Sequence, residues 1–394
     1  MRRILGLIPN VFLLGLVSLF NDFSAEMIYA VMPVFLVGVL GAPPLVLGII
    51  EGFADATASI LKIVSGWFSD RFKKRKAISV SGYGLSIITR LGLYFVGNFW
   101  QVFAIRVLDR VGKGVRESPR DALLAESVPR AEVGKSFGYL RAMDQVGGIL
   151  GPLVAIIILP IISYDYRLLF VIGFGIGAFV LLSFLFVKDV KPVSGENISK
   201  VRPPLTFSIS SFGSDFKIFI ASIFLFGLGV MPVSLILLKA QDLSVSGLHI
   251  PLMYLIYSVA FAATAIPFGK LSDSIGERKV MVSGFITAIF AYIILGASSG
   301  IFGIVLGFVI FGLYSAMTDG VARSIVSKMV SPDTLASGEG FLGAVIGISS
   351  LLAGVVGGLL WTAYGAQYAF IYGAAFMILG LIVFLALNPK QDKV

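Results

Sequence analysis

Cysteine is absent from this 394-residue chain, and histidine occurs once. Without thiols there is no disulfide framework of the kind that staples small secreted domains. Zinc, haem and iron–sulfur sites lose their usual ligands for the same reason. Charge is scarce as well: 13% of residues are charged, against about 25% in soluble globular chains. Asn and Gln number five each, a depletion that membrane helices and thermophilic chains share. No Gly-rich loop ending in Gly-Lys-Ser/Thr occurs, and no nucleophile–base pair stands in a recognisable arrangement, so an enzyme has no sequence basis. What is present is apolar. Hydrophobic residues make up 57% of the chain and mean hydropathy is +0.96, which excludes an ordinary soluble enzyme and a disordered scaffold alike. The net charge of +9 does not mark a nucleic-acid partner, because most Lys and Arg residues lie between apolar segments.

Roughly 20 apolar residues at about 1.5 Å each cross a bilayer core. Twelve stretches qualify, at about 9–40, 44–69, 77–97, 100–121, 132–159, 166–187, 214–239, 247–271, 280–298, 301–323, 333–361 and 366–387. The first is interrupted by Asn21-Asp22 and Glu26, and the fourth is dense in charge, so a hydropathy threshold alone would miss both. The basic start Arg2-Arg3 has no small-residue cleavage site behind it, and reads as the flank of a retained first helix. With both termini inside, the cytoplasmic segments hold 22 Lys and Arg residues, against Arg167 as the clear outside one. The positive-inside rule then predicts a multi-pass protein of the plasma or inner membrane with both termini cytoplasmic.

The polar stretch 188–213, with Pro203-Pro204 and several Lys and Ser, falls after six predicted helices and before six more. It divides the chain into an N-terminal bundle at 1–187, a cytoplasmic linker, and a C-terminal bundle at 214–394. The halves repeat at a shift of 203 positions. Gly66-Trp67-Phe68-Ser69-Asp70 returns as Gly269-Lys270-Leu271-Ser272-Asp273, and Arg120, Pro129 and Gly151 meet Arg323, Pro332 and Gly354. Repeated six-helix halves describe a transporter with its site between repeats.

The loop Gly66-Trp67-Phe68-Ser69-Asp70-Arg71-Phe72-Lys73-Lys74-Arg75-Lys76 resembles the signature loop of the major facilitator superfamily, departing from it at Phe68 and Lys73. The copy at 269–279 is similar, with Ser274 where Arg is usual. Arg106-x-x-x-Arg110-x-Gly112-x-Gly114 is similar to the family pattern of the fourth helix, with Arg110 in place of a Gly. Gly147-x-x-x-Gly151-Pro152 resembles the signature of its proton-coupled exporters, without the two closing glycines (Ala155 and Ile156 follow). The resemblance implies an all-α integral membrane fold of two pseudo-symmetric six-helix bundles working by alternating access. It also implies a gate, formed by Gly66, Asp70, Arg71 and Asp273 in the loops and by Gly147, Gly151 and Pro152 in the fifth helix. Close helix approach at glycines and a proline kink fit that role.

Charge inside the apolar segments is the strongest functional signal. Asp22 and Glu26 share one face of the first helix, and Glu51 and Asp55 have the same spacing in the second. Arg106, Asp109, Arg110 and Lys113 fall in the fourth, and Arg141 and Asp144 in the fifth. Lys62 and Arg90 read equally well as structural ion pairs. Each such charge costs about 2.5–3.5 kcal/mol on insertion scales, so a cluster this dense predicts a substrate or ion cavity. A carboxylate of this set could carry a proton, since the lone His249 falls in an outside loop. Arg106, Arg110, Lys113 and Arg141 could instead neutralise an anionic solute, and both can hold together. Two carboxylates as close as Asp22 and Glu26 resist simultaneous ionisation in a low dielectric, which favours that pair over Asp144 beside Arg141.

The expectation is a secondary transporter, most simply a proton-coupled exporter (antiporter) of a small organic, anionic solute. It would need no cofactor and no resident metal, only a proton or other ion gradient. Its partners would be the solute and the lipid bilayer, and it would act as a monomer. Alternatives of the same fold are an anion importer and a divalent-metal carrier using the four acids as oxygen ligands. A non-transporting membrane sensor on this scaffold is a further alternative.

Overall fold

A computed structural model describes residues 3–4, 7–72, 74–129, 132–189, 212–243, 248–331 and 334–386. Twelve long helices follow one another, with no strand among the described residues. They are α1 (Pro9–Tyr29), α2 (Pro44–Phe72), α3 (Arg75–Gly92), α4 (Phe99–Glu126), α5 (Val133–Ile161), α6 (Tyr166–Phe186), α7 (Ser214–Gly229), α8 (His249–Ile275), α9 (Glu277–Ala297), α10 (Ile301–Met329), α11 (Leu335–Tyr364) and α12 (Ala366–Leu385). The expected linker lies mostly outside the described residues.

The differences from the predicted spans have local causes. The first span is not one α-helix: α1 ends at Tyr29, and a π-helical turn covers Val34–Val39 just after Pro33. The seventh breaks at Val230–Pro232 and resumes as the short helix Val233–Leu237, because Pro232 has no N–H to continue the ladder. α4 runs five residues beyond its predicted end, to Glu126, and buries Arg116 and Arg120 within it. Ten of the twelve are long and apolar enough to cross a bilayer by composition. The first passes, against expectation, because its polar residues are few; α4 fails as expected, and the Ser-rich α3 fails with it.

Caps fix the starts of several helices. The Asn98 carboxamide oxygen accepts from Trp100 N and Gln101 N at 3.0 and 3.1 Å, and Asp165 serves Arg167 N and Leu168 N at 2.9 and 3.1 Å. Gly276 alone separates α8 from α9 at φ 96°, a left-handed turn that excludes most side chains.

The chain forms two compact units. Unit 1 comprises Met1–Ala42, Phe53–Glu196 and Ser246–Leu255; unit 2 comprises Pro43–Gly52, Asn197–Val245 and Ile256–Val394. The first ten residues of the second-helix region thus belong to unit 2, and the first ten of the eighth-helix region to unit 1. The two exchanged segments are displaced by the same 203 positions that relate the sequence motifs.

In unit 1, Leu7, Val11, Leu14 and Val17 of the amino-terminal segment pack with Tyr83, Ile87, Leu123, Leu140 and Phe184. α1 lies tightly along α5. A Cβ on Gly147 would sit 2.6 Å from Leu19 O, and one on Gly151 would sit 2.6 Å from Met27 N. Unit 2 has an aromatic interior: Phe226 stacks on Phe285 at 3.8 Å, and Tyr292 meets Phe311 and Phe370 at 6.1 and 5.3 Å. Large apolar side chains such as Ile161, Phe186 and Phe302 are exposed, which suits contact with lipid chains.

Candidate functional site

The charged layer of unit 1 is built by α1 to α5, with one contribution from α8. A small pocket opens in it, lined among others by Glu26 and Tyr29 of α1, Thr89 and Arg90 of α3, and Arg106, Asp109 and Arg110 of α4. Helical spacing explains the grouping. Residues three and four apart share a face, so Arg106, Asp109 and Arg110 project together, as do Asp22 and Glu26.

Most charges in the layer are partnered. Arg106 is 5% exposed; its Nη1 lies 3.5 Å from Asp109 Oδ2, and its guanidinium stands 5.5 Å over the Tyr29 ring. Arg110 Nε approaches Asp55 Oδ1 at 4.0 Å. Buried Arg90 donates from Nη2 to Asn21 Oδ1 at 2.7 Å, and Asn21 Nδ2 donates to Asp22 Oδ1 at 2.7 Å. Asn21 therefore relays between the Arg90 guanidinium and the Asp22 carboxylate. Glu26 forms no ion pair among the described residues. Its Oε2 accepts a hydrogen bond from the Tyr254 hydroxyl of α8, and the Tyr29 and Tyr254 rings meet at 5.3 Å.

A second ionic group involves α1, α2, α3, α4 and α5. Arg120 donates from Nε and Nη2 to Asp121 Oδ1 at 2.9 and 2.8 Å, and from Nη1 to Ser18 Oγ at 2.9 Å. The same Nη1 stands 3.9 Å from Asp144 Oδ1, while Arg141 Nη1 donates to Asp144 Oδ2 at 3.3 Å. Arg116 donates to Ser86 Oγ at 2.6 Å and covers the Tyr83 ring at 4.6 Å. Glu117 lies between Lys62 at 3.0 Å and Lys113 at 3.8 Å. Mutual neutralisation is what makes these groups tolerable in the interior.

Of the predicted cavity residues, Glu26, Arg106, Asp109 and Arg110 line the pocket, and Asp22 and Asp55 join it through Arg90 and Arg110. Asp144 and Arg141 belong to the Arg120 group, and Lys113 to Glu117. Glu51 is 1% exposed and falls in the α2 segment that belongs to unit 2. Among the described residues, no three carboxylate or imidazole groups converge, so the divalent-metal alternative has no donor set there. Of the predicted gating residues, Gly147, Gly151 and Pro152 are buried in α5, the two glycines against α1. Asp273 is exposed near the end of α8. α2 runs through Gly66, Asp70 and Arg71, whose side chains lie outside the described part.

Sequence reasoning passed over Asn21, Tyr29, Tyr83, Arg116, Arg120 and Tyr254 as site residues. Arg120 had a signal in its repeat partner Arg323. Tyr254 had a fainter one, since it stands 203 positions after Glu51.

Comparison with known proteins agrees with this architecture. The Major Facilitator Superfamily profile matches residues 14–238 and 218–394. An uncharacterised MFS-type transporter of Methanocaldococcus jannaschii is 32% identical over 387 residues, covering 95% of this chain and 94% of the relative. The multi-drug resistance efflux pump PmrA of Streptococcus pneumoniae is 25% identical over 380 residues, with 91% and 90% coverage. Among solved structures, a mutant of the nucleoside transporter NupG superposes with a TM-score of 0.82 at 15% identity, covering 96% of this chain and 99% of that one. A POT family transporter in complex with 5-aminolevulinic acid gives 0.81 at 14% identity, with 99% and 98% coverage. At such identities the two structures speak for the fold alone.

Proposed function

This chain belongs to the major facilitator superfamily of transporters, and from that premise we propose that it is a proton-coupled antiporter exporting a small anionic organic solute. The observation that carries the reading is the asymmetric pairing of the carboxylates. Asp109, Asp144 and Glu117 each have cationic partners within 4 Å, so each is already matched by a counter-charge. Glu26 faces the pocket and is hydrogen-bonded to a neutral phenol. It is the carboxylate best placed to take up and release a proton, with Asp22 one turn away on the same face. Arg90, Arg106 and Arg110 line the same pocket, and guanidinium forks suit carboxylate or phosphate groups. A proton leaving Glu26 and an anion leaving the arginines then use one space, which is what exchange requires. Export is favoured over import by the likeness to an efflux pump and by the Gly147–Pro152 signature.

In this reading both termini are cytoplasmic, the protein acts as a monomer in the plasma or inner membrane, and a proton gradient is the driving force. Asp70 and Asp273 serve the cytoplasmic gate, and the Gly147–Gly151 seam lets α1 and α5 move as one body. A thermal-shift screen of aromatic carboxylates and lipophilic cations identifies the solute class, because a ligand that binds only the folded state raises its stability. Liposomes loaded with a pH-reporting dye then read proton movement when the stabilising solute is added. The expected result is solute-dependent proton flux that Glu26→Gln abolishes while solute-for-solute exchange persists. Arg106→Glu should abolish binding of an anion. Full proton coupling in Glu26→Gln, or a transported cation, would contradict the reading.

A further inference from the structure

α8 is divided between the two units at Leu255, and the residue before the division is Tyr254. The leading segment of α8 is held in unit 1 at a polar point, where the Tyr254 hydroxyl donates to Glu26. Tyr254 is 8% exposed, and its ring leans on Tyr29, which in turn lies under the Arg106 guanidinium. The groups facing Glu26 can be enumerated by element. α3 supplies Arg90; α4 supplies Arg106, Asp109 and Arg110; α1 supplies Asp22 one turn back. α5 presents Gly151 and α6 presents Gly173 to this stretch of α1, neither of them charged. α8 also carries His249 at its first position, outside the pocket lining. Glu26 thus has a hydrogen-bond partner on α8.

Resting on the proposed role of Glu26 as proton carrier, we propose that Tyr254 is the positioning residue that couples the protonation of Glu26 to the seating of the α8 leading segment. A phenol donating to a carboxylate makes a charge-assisted hydrogen bond, roughly twice as strong as a neutral one. When Glu26 is ionised, the bond holds Tyr254 and with it the segment ending at Leu255. When Glu26 takes a proton, the charge assistance is lost and the neutral acid acquires its own donor, which competes for nearby acceptors. The seated state loses stability at the moment the proton arrives. By linkage the converse follows: unseating α8 removes a partner of the ionised form and favours proton uptake. No new bond is needed, only the exchange of one hydrogen bond for another.

The exchanged segments of the repeat give this a structural context. The equivalent segment of α2 belongs to unit 2, where Leu45 N donates to Thr362 Oγ1 at 3.0 Å and a Cβ on Gly358 would come within 2.8 Å of Leu45 Cα. Glu51, the position equivalent to Tyr254, is buried there. Both exchanged segments therefore end near a buried polar side chain, and in the α8 copy that side chain is bonded to a pocket carboxylate.

The native chain has no cysteine, so Leu252→Cys supplies a single attachment point for a nitroxide spin label on the exposed side of the segment. Label motion is measured in purified protein in lipid nanodiscs, from mildly alkaline to mildly acidic buffer. The expected result is a restricted label in alkaline buffer and a freer one in acid, with roughly a tenfold change in the ratio of the two populations. Tyr254→Phe and Glu26→Gln should each remove the pH response, and the double variant should behave like either single one. His249→Gln should keep it, which separates Glu26 from the imidazole. An unchanged pH response in Tyr254→Phe overturns the proposal, as does a response that disappears in His249→Gln and survives in Glu26→Gln. If Tyr254→Phe does not fold, the Glu26→Gln and His249→Gln labels still decide the matter. The two readings fail differently. Solute-driven proton flux that survives Glu26→Gln refutes the carrier role itself. Flux lost in Glu26→Gln with flux and label response intact in Tyr254→Phe refutes only the coupling.

Discussion

Unit 1 and unit 2 contain the two halves of one repeat, yet their interiors are made of different chemistry. Many positions that carry charge in the first half are apolar or small in the second at the 203-residue displacement, although Arg116 meets Asp319. Asp22 becomes Leu225, Glu26 becomes Gly229, Arg90 becomes Ile293, Arg106 becomes Val309, Asp109 becomes Gly312, and Asp144 becomes Gly347. Arg120 keeps its type as Arg323, but the first is buried among Ser18, Tyr83, Asp121 and Asp144 while the second is exposed. Unit 2 fills the corresponding space with aromatic rings and close backbone contacts, such as the stacked pair Phe226–Phe285. The lesson is that the repeat conserves the frame and not the function. One half carries a buried network of paired ionisable groups, and the other an interior of packed aromatic rings.

That contrast can be broken at several points, with graded effects. The largest loss should follow Gly151→Leu, whose Cβ already falls 2.6 Å from Met27 N and 2.9 Å from Glu26 Cβ. Two rigid helices cannot both keep their course, so the yield of folded protein by size-exclusion chromatography should collapse. Next comes Arg120→Ala, which leaves Asp121 and Asp144 without this partner in the interior. Removing one member of a buried ionic group costs about 3–5 kcal/mol, to be read as a large drop in melting temperature. Tyr292→Phe in unit 2 should cost about 1–2 kcal/mol, since Met231 N loses the hydroxyl that it reaches at 2.8 Å, and proton coupling should be untouched. Arg323→Ala, at an exposed position, should shift stability by less than about 0.5 kcal/mol. If Arg120→Ala and Arg323→Ala prove equally mild, the two halves are not divided as described.

The frame of this molecule is written locally, and so it was legible in the sequence. Twelve apolar runs separated by basic turns gave the helices, and the displacement of 203 gave the repeat that the exchanged segments of α2 and α8 also obey. Where local rules compete, boundaries moved. The predicted fourth span holds Arg116 and Arg120 near its end, but no local signal shows that Ser86, Tyr83 and Ser18 receive them. Pro33 and Pro232 broke runs that hydropathy treats as continuous. The site was legible only in its charged members. Asn21 and Tyr29 carry no charge to announce them, and Tyr254 meets Glu26 across 228 positions of sequence, a contact that only tertiary packing creates.

The central claim is that the titrating chemistry resides in unit 1, on Glu26. Infrared difference spectroscopy between mildly alkaline and mildly acidic buffer detects the carbonyl stretch of a newly protonated carboxylic acid in a dry environment, and it needs no knowledge of the solute. Purified protein should show such a band, and it should vanish in Glu26→Gln while persisting in Asp144→Asn and in the unit 2 variant Glu51→Gln. A band that survives Glu26→Gln and disappears with Asp144→Asn or Glu51→Gln would contradict the account.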